Sequence, residues 1–121
     1  MQDLTIFVVD DDPDIRDLIV QTLGDEGYRV VDFSDGELAV ITARFDRPAL
    51  MLLDLMMPQV SGWDVVAMLR SSAETANIPV VFVSASRELS VARYDMNVTG
   101  HLAKPFELDD LIRTVQMCLS R

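Results

Sequence analysis

Polar side chains capable of chemistry stand where apolar sequence stops abruptly. Asp10 and Asp11 follow the run Leu4–Val9, Asp54 follows Ala49–Leu53, Ser84 follows Ile78–Val83, and Lys104 follows Thr99–Ala103. Packing alone gives no reason for four runs to end in this way. Carboxylates brought together repel one another, and without compensation one of them takes up a proton. Two compensations are available: the Lys104 ammonium and a divalent cation with oxygen ligands such as Mg²⁺. That ion is typically held by one or two carboxylates together with phosphate oxygens and water. A carboxylate can be the nucleophile of phosphoryl transfer, forming an acyl phosphate. In such a site the metal bridges phosphoryl oxygens, Lys104 neutralises charge and the Ser84 hydroxyl donates to a phosphoryl oxygen.

Convergence of these groups requires elements that carry them to one place. Five apolar runs, the four above and Tyr28–Phe33, have the length and flanks of buried parallel strands. Amphipathic segments lie between them. Asp12-Pro13 reads as an N-cap followed by proline at the first helical position, with Ile15, Leu18, Ile19 and Leu23 at helical spacing and Gly24 or Gly27 as the stop. Ser34 with Glu37, and Ser61 with Asp64, are spaced as capping boxes. A last helix from near Glu107 places Leu108, Leu111, Ile112, Val115 and Leu119 on one face. Strands alternating with helices predict an α/β fold, a single domain over 1–121 with a parallel sheet covered on both faces. In a flavodoxin-like, doubly wound, five-stranded sheet of order 2-1-3-4-5, strands one and four flank strand three. Neighbouring strands lie ~4.8 Å apart, so Asp10, Asp54 and Ser84 would surround one small volume.

Composition narrows the function classes. The 121 residues are 50% hydrophobic and 25% charged, with 20 acidic against 10 basic side chains and a net charge of -10. That balance argues against direct nucleic-acid binding, which needs clustered Lys and Arg. No apolar run approaches the ~20 residues of a membrane span, and Met1–Thr5 carries no secretory signature. A lone cysteine, Cys118, excludes an internal disulfide framework and fits a reducing, cytoplasmic setting, with the thiol buried in a helix. With His101 as the one histidine, no zinc site can be assembled. Trp63 reads as packing and an optical reporter, Met51, Met56 and Met57 as apolar filling, and Asp12 and Asp14 as helix N-terminal charge.

In order and spacing, four motifs resemble the response-regulator receiver domain of two-component signalling. They are Ile6-Phe7-Val8-Val9-Asp10-Asp11, the turn Leu53-Asp54-Leu55-Met56-Met57-Pro58 with Gly62, Val83-Ser84-Ala85, and Lys104-Pro105-Phe106. The resemblance covers nearly the whole chain and implies five helices around the sheet. It implies Asp54 as phosphoryl acceptor, Asp11 as direct Mg²⁺ ligand, Asp10 acting mainly through a bound water, and the Met56 carbonyl as a further ligand. Ser84 would be the switch hydroxyl, Lys104 the site lysine, and the Lys104–Pro105 bond cis. Implied partners are a sensor histidine kinase or histidine phosphotransfer protein and a downstream target or output domain. A homodimer through the face of the fourth helix, fifth strand and fifth helix is implied as well. Two features depart from the family's pattern. His101 stands where Tyr or Phe is usual, and the span from Ser84 to His101 is about two residues short, with Asn97 at a usual glycine position and Arg87–Val98 poorly helical.

Three rival readings fit less of the sequence. A haloacid-dehalogenase-like phosphohydrolase would use Asp10-Asp11-Asp12 as its Asp-x-Asp motif, but leaves Asp54 and the Met57-Pro58 turn unexplained. A calcium loop built on Asp10, Asp12 and Asp14 has Ile15 where Gly is needed and Gln21 where Glu is needed. A receiver-like binding module that is never phosphorylated would have no use for the complete set of acidic pair, acceptor, hydroxyl and lysine. The expectation is therefore a phospho-acceptor that catalyses only its own aspartyl phosphorylation and dephosphorylation, without an output domain in the chain.

Overall fold

The computed structural model describes residues 4–85 and 98–120. Five parallel strands form one sheet of order β2-β1-β3-β4-β5. They are β1 Thr5–Val9, β2 Arg29–Phe33, β3 Leu50–Leu53, β4 Val80–Ala85 and β5 Gly100–Lys104. The described helices are α1 Pro13–Asp25, α2 Gly36–Phe45, α3 Gly62–Arg70 and α4 Leu108–Leu119. The segment Arg87–Val98, Val98 apart, lies outside the described residues, and with it the remaining helix expected there and Asn97. Among the described residues no helix is long and apolar enough to cross a membrane.

Period-two alternation of side chains divides the apolar content of the strands between two faces. Phe7, Val9, Met51, Leu53, Val80 and Phe82 pack with Ala39, Val40 and Ala43 of α2 and Val65, Val66 and Leu69 of α3. On the other face Ile6, Val8, Leu50, Leu52, Val81 and Val83 pack with Ile19 and Leu23 of α1 and Leu111 and Val115 of α4. Cover on both sides explains why β1, β3 and β4 read as continuous apolar runs. Each large side chain fully removed from water contributes roughly 1.5–3 kcal/mol, so the three central strands are the rigid platform of the molecule.

The local signals hold with four corrections. Asp12 caps α1 by accepting from the backbone of Asp14 and Ile15, and Ser61 with Asp64 forms the reciprocal capping box of α3. The cap of α2 is Asp35, which accepts from Glu37, and not Ser34. Leu18 is 40% exposed, outside the buried stripe of Ile19 and Leu23. Met56 is also largely exposed, because it sits on the turn after β3 and not in the core. Cys118 is only half-buried, beside the α1–α4 core.

Gly62 fixes where that turn runs. A Cβ there would lie 2.6 Å from the Asp54 carbonyl oxygen and 2.8 Å from Leu55 Cα, both of them backbone atoms. The Gly62 amide donates to the Leu55 carbonyl at 2.8 Å, which pins the start of α3 against the chain leaving β3. Gly62→Ala therefore forces backbone apart at Asp54. Urea unfolding of this variant should show a loss of about 1–3 kcal/mol, whereas Gly24→Ala, with open space around its Cβ position, should show none.

Candidate active site

The sheet ladder itself delivers the two buried acids. Past the last residue of β1, the Asp10 amide donates to the Phe33 carbonyl of β2 at 3.1 Å. Past the last residue of β3, the Asp54 amide donates to the Val9 carbonyl of β1 at 2.9 Å. Both aspartates thus sit one rung beyond a strand, on either side of the point where strand order reverses. Crevices of doubly wound sheets lie at that point, beyond the carboxyl ends of the strands. Ser84 and Lys104 arrive differently from expectation: each lies inside its strand, not after it, because β4 runs on to Ala85 and β5 to Lys104. The parallel register of β4 and β5 pairs Ala85 with Lys104 and Ser84 with Ala103.

Four groups meet there. Lys104 Nζ lies 2.8 Å from Asp10 Oδ2 and 3.5 Å from Asp54 Oδ2. Ser84 Oγ donates to Asp54 Oδ1 at 3.0 Å, and the Met56 amide donates to the same oxygen at 3.2 Å. The Asp12 amide donates to Asp10 Oδ1 at 2.9 Å. Asp10, Asp54 and Ser84 are buried, whereas Asp11 is exposed at the mouth. Carboxylate oxygens of Asp10, Asp11 and Asp54 all lie within 4.8 Å of one another. Three hard oxygen donors converging so closely suit a small divalent cation such as Mg²⁺. Neither oxygen of Asp10 is left without a donor, whereas among the described residues Asp54 Oδ2 faces only the longer Lys104 contact.

Electrostatics follow from this crowding. Burial pushes the Asp54 carboxyl above its ordinary range and the Asp10 charge pushes it further; Lys104, the Met56 amide and Ser84 offset part of the rise. Burial pulls the Lys104 ammonium down, but hydrogen bonding and attraction to Asp10, then to Asp54, outweigh it and leave the group raised. Lys104 is therefore held as a positive charge between the two acids.

Of the residues expected from sequence, Asp10, Asp11, Asp54, Ser84 and Lys104 come together, and Met56 joins them through its amide on Asp54. The Lys104–Pro105 bond is cis, as expected. His101 lies on β5 in register with Phe82, with its side chain exposed to solvent. Trp63 stacks obliquely on Phe82, with ring centroids 6.2 Å apart. One participant was not foreseen. Arg16 of α1 donates from Nη1 to the Asp10 carbonyl at 2.8 Å and pairs through Nε with Asp32 at 3.2 Å. A signal did exist: a cation near the N-terminus of a helix opposes the helix dipole and calls for a partner.

The chain matches the model of the response regulator receiver domain family over residues 6–116. It belongs to that family. This receiver domain is 35% identical over 118 residues to the DNA-binding dual master transcriptional regulator RpaA of Synechocystis, a match covering 96% of the chain and 49% of that protein. It is 31% identical over 122 residues to the probable transcriptional regulatory protein TcrX of Mycobacterium tuberculosis, covering 99% of the chain and 51% of that protein. The chain thus spans about half the length of these curated relatives. Among solved structures it superposes with a TM-score of 0.89 on the chemotaxis protein CheY4 of Vibrio cholerae, at 29% identity, covering 98% of this chain and 100% of that one. The receiver domain of the Pseudomonas aeruginosa sensor histidine kinase PA1611 has a magnesium ion in its active-site cleft. It superposes with a TM-score of 0.90 at 25% identity, covering 99% and 100% of the two chains. Receiver domains of this kind are signalling modules of two-component systems.

The raised Asp54 carboxyl has a consequence for stability. The folded state holds that proton more tightly than the unfolded chain, so the contribution of Asp54 is fully present below pH 3.8 and is lost as pH rises through the folded value. Asp54→Asn removes the ionisation. In metal-free buffer this variant should exceed the parent in stability at neutral pH by on the order of 1 kcal/mol. The gain should vanish below pH 3.8, as chemical denaturation at both pH values will show.

Proposed function

We propose that this receiver domain takes a phosphoryl group onto Asp54 from a phosphohistidine of a kinase or phosphotransfer protein. The carrying observation is the unequal engagement of the Asp54 oxygens: Oδ1 accepts from Ser84 and Met56, while Oδ2, among the described residues, faces Lys104 alone at 3.5 Å. Oδ2 is accordingly the nucleophilic atom. The Oδ2–phosphorus bond forms as the phosphorus–nitrogen bond of the donor imidazole breaks, and the nitrogen keeps the electron pair. Lys104, already placed between the two buried acids, neutralises the phosphoryl oxygens as they come in. Burial of Asp10 and Asp54 removes competing water and strengthens these interactions.

Asp10, Asp11 and Asp54, with the Met56 carbonyl, would hold Mg²⁺. When bound, that ion offsets the summed carboxylate charge and polarises the phosphoryl group. Asp11, exposed at the mouth, would ligate directly; Asp10, whose two oxygens already accept from Lys104 and the Asp12 amide, would act through a bound water. The same engagement weighs against a phosphohydrolase with a nucleophile in the Asp10–Asp12 motif.

Ser84 supplies the switch. Its hydroxyl is committed to Asp54 Oδ1 before any phosphoryl group is present and would exchange that acceptor for a phosphoryl oxygen. Exposed His101, on the neighbouring strand, would turn inward as Ser84 moves. The two-state shift would then reach a downstream target or output domain, or a second copy through the face containing β5. This domain is acidic, and in longer relatives such as RpaA it corresponds to about half the chain. Any DNA contact would come from elsewhere in such a protein. The domain would catalyse its own phosphorylation and hydrolysis and act in the cytoplasm.

Incubation with Mg²⁺ and a small acyl-phosphate donor should add one phosphoryl group, read as a single mass increment on the intact protein. Asp54→Asn should abolish the adduct, and chelation of Mg²⁺ should suppress it. An undiminished adduct in Asp54→Asn would remove Asp54 from its role.

A further inference from the structure

We propose that Arg16 is a positioning residue for the acidic pair, holding the peptide between Asp10 and Asp11 so that Asp11 faces the crevice. The inference rests on the reading of Asp10, Asp11 and Asp54 as a cation site. Asp10 is restrained on every side: its amide by Phe33, its two carboxylate oxygens by Asp12 and Lys104, and its carbonyl by Arg16. Asp11 has no such supports, since among the described residues no hydrogen bond or ion pair engages its carboxylate. Its direction is inherited from the peptide that joins it to Asp10, and the oxygen of that peptide is what Arg16 Nη1 grips at 2.8 Å.

The guanidinium suits this task because its donors lie in one rigid plane. Nε on Asp32 sets the plane from β2, and Nη1 then points at the end of β1. Arg16 is 18% exposed and Asp32 42%, so the ion pair by itself adds little to global stability. Its consequence is local. A strand end that carries adjacent carboxylates is kept from turning them out to solvent, away from one another and from Asp54. Partners that orient metal ligands typically alter metal affinity by 10–100-fold when removed.

Charge and position make opposite predictions, which renders the proposal decidable. Were Arg16 merely a nearby positive charge, its removal would tighten Mg²⁺ binding, because like charges repel. If it positions Asp11, removal weakens binding. The experiment is titration of the whole chain with MgCl₂, followed by Trp63 fluorescence and independently by calorimetry. Arg16→Met, which retains the stem but neither donors nor charge, should raise the Mg²⁺ Kd by roughly tenfold or more, and Arg16→Lys should fall between it and the parent. An Arg16→Met Kd equal to or below that of the parent overturns the proposal, as does an Arg16→Lys Kd equal to that of the parent. If the parent itself shows no Mg²⁺ response by either method, the cation reading fails and takes this inference with it. If Arg16→Met loses its near-ultraviolet circular dichroism, Asp32→Asn decides instead. That variant frees the other end of the clamp; titrated in about 1 M NaCl, where a Debye length of about 3 Å screens the lost charge of exposed Asp32, it should weaken Mg²⁺ binding at least twofold, and an unchanged Kd refutes the clamp.

Discussion

Two buried carboxylates and one ammonium at the edge of an apolar sheet set the terms for everything else in this receiver domain. Burial and the neighbouring Asp10 charge raise the Asp54 carboxyl, and Lys104 reaches from β5 to touch both acids. The ion pair bridges strands that are not neighbours, β5 to the ends of β1 and β3. It therefore depends on the full five-strand order, and the order in turn is fixed by apolar burial on both faces. Function and fold are coupled at this point: the platform exists without the charges, but the charges have no meaning without the platform.

Compensation in the resting site is incomplete. Asp54 remains above the ordinary carboxylate range even with Lys104, Ser84 and the Met56 amide in place. A group held at such a cost is a reservoir that a cation or an incoming phosphoryl group can discharge. The donors are unevenly shared: both carboxylate oxygens of Asp10 accept hydrogen bonds, while among the described residues Asp54 Oδ2 has only the 3.5 Å contact with Lys104. Two neighbouring aspartates, Asp10 and Asp54, thus have different duties, assigned by the hydrogen bonds around them and not by their chemistry.

Much of this was legible in the sequence, and the rest was hidden for physical reasons. The strands could be read because burial on both faces makes them continuously apolar, and the central residues because each breaks such a run. The caps at Asp12 and Ser61 were legible because capping is local, within three residues. At the start of α2 two adjacent side chains, Ser34 and Asp35, could serve, and backbone geometry chose between them. Ser84 and Lys104 were placed after their strands because polar character normally ends a buried strand; pairing to a neighbour carries β4 and β5 further. Arg16 was missed because its partners are the carbonyl six residues back and an acid on β2 sixteen residues on, a juxtaposition set only by the packing of α1 across the sheet. His101 on the exposed side of β5 shows the same limit: sequence places it in register but not its rotamer.

Asp54 is a buried carboxylate whose charge is compensated only in part by the protein. Site-resolved titration of its side-chain carboxyl carbon by NMR tests this directly, in chelator and then in saturating Mg²⁺. The midpoint should lie above 3.8 without metal, lie lower in Asp10→Asn, and fall on adding Mg²⁺. A midpoint at or below the ordinary value in chelator, or one indifferent to both Asp10→Asn and Mg²⁺, would contradict it.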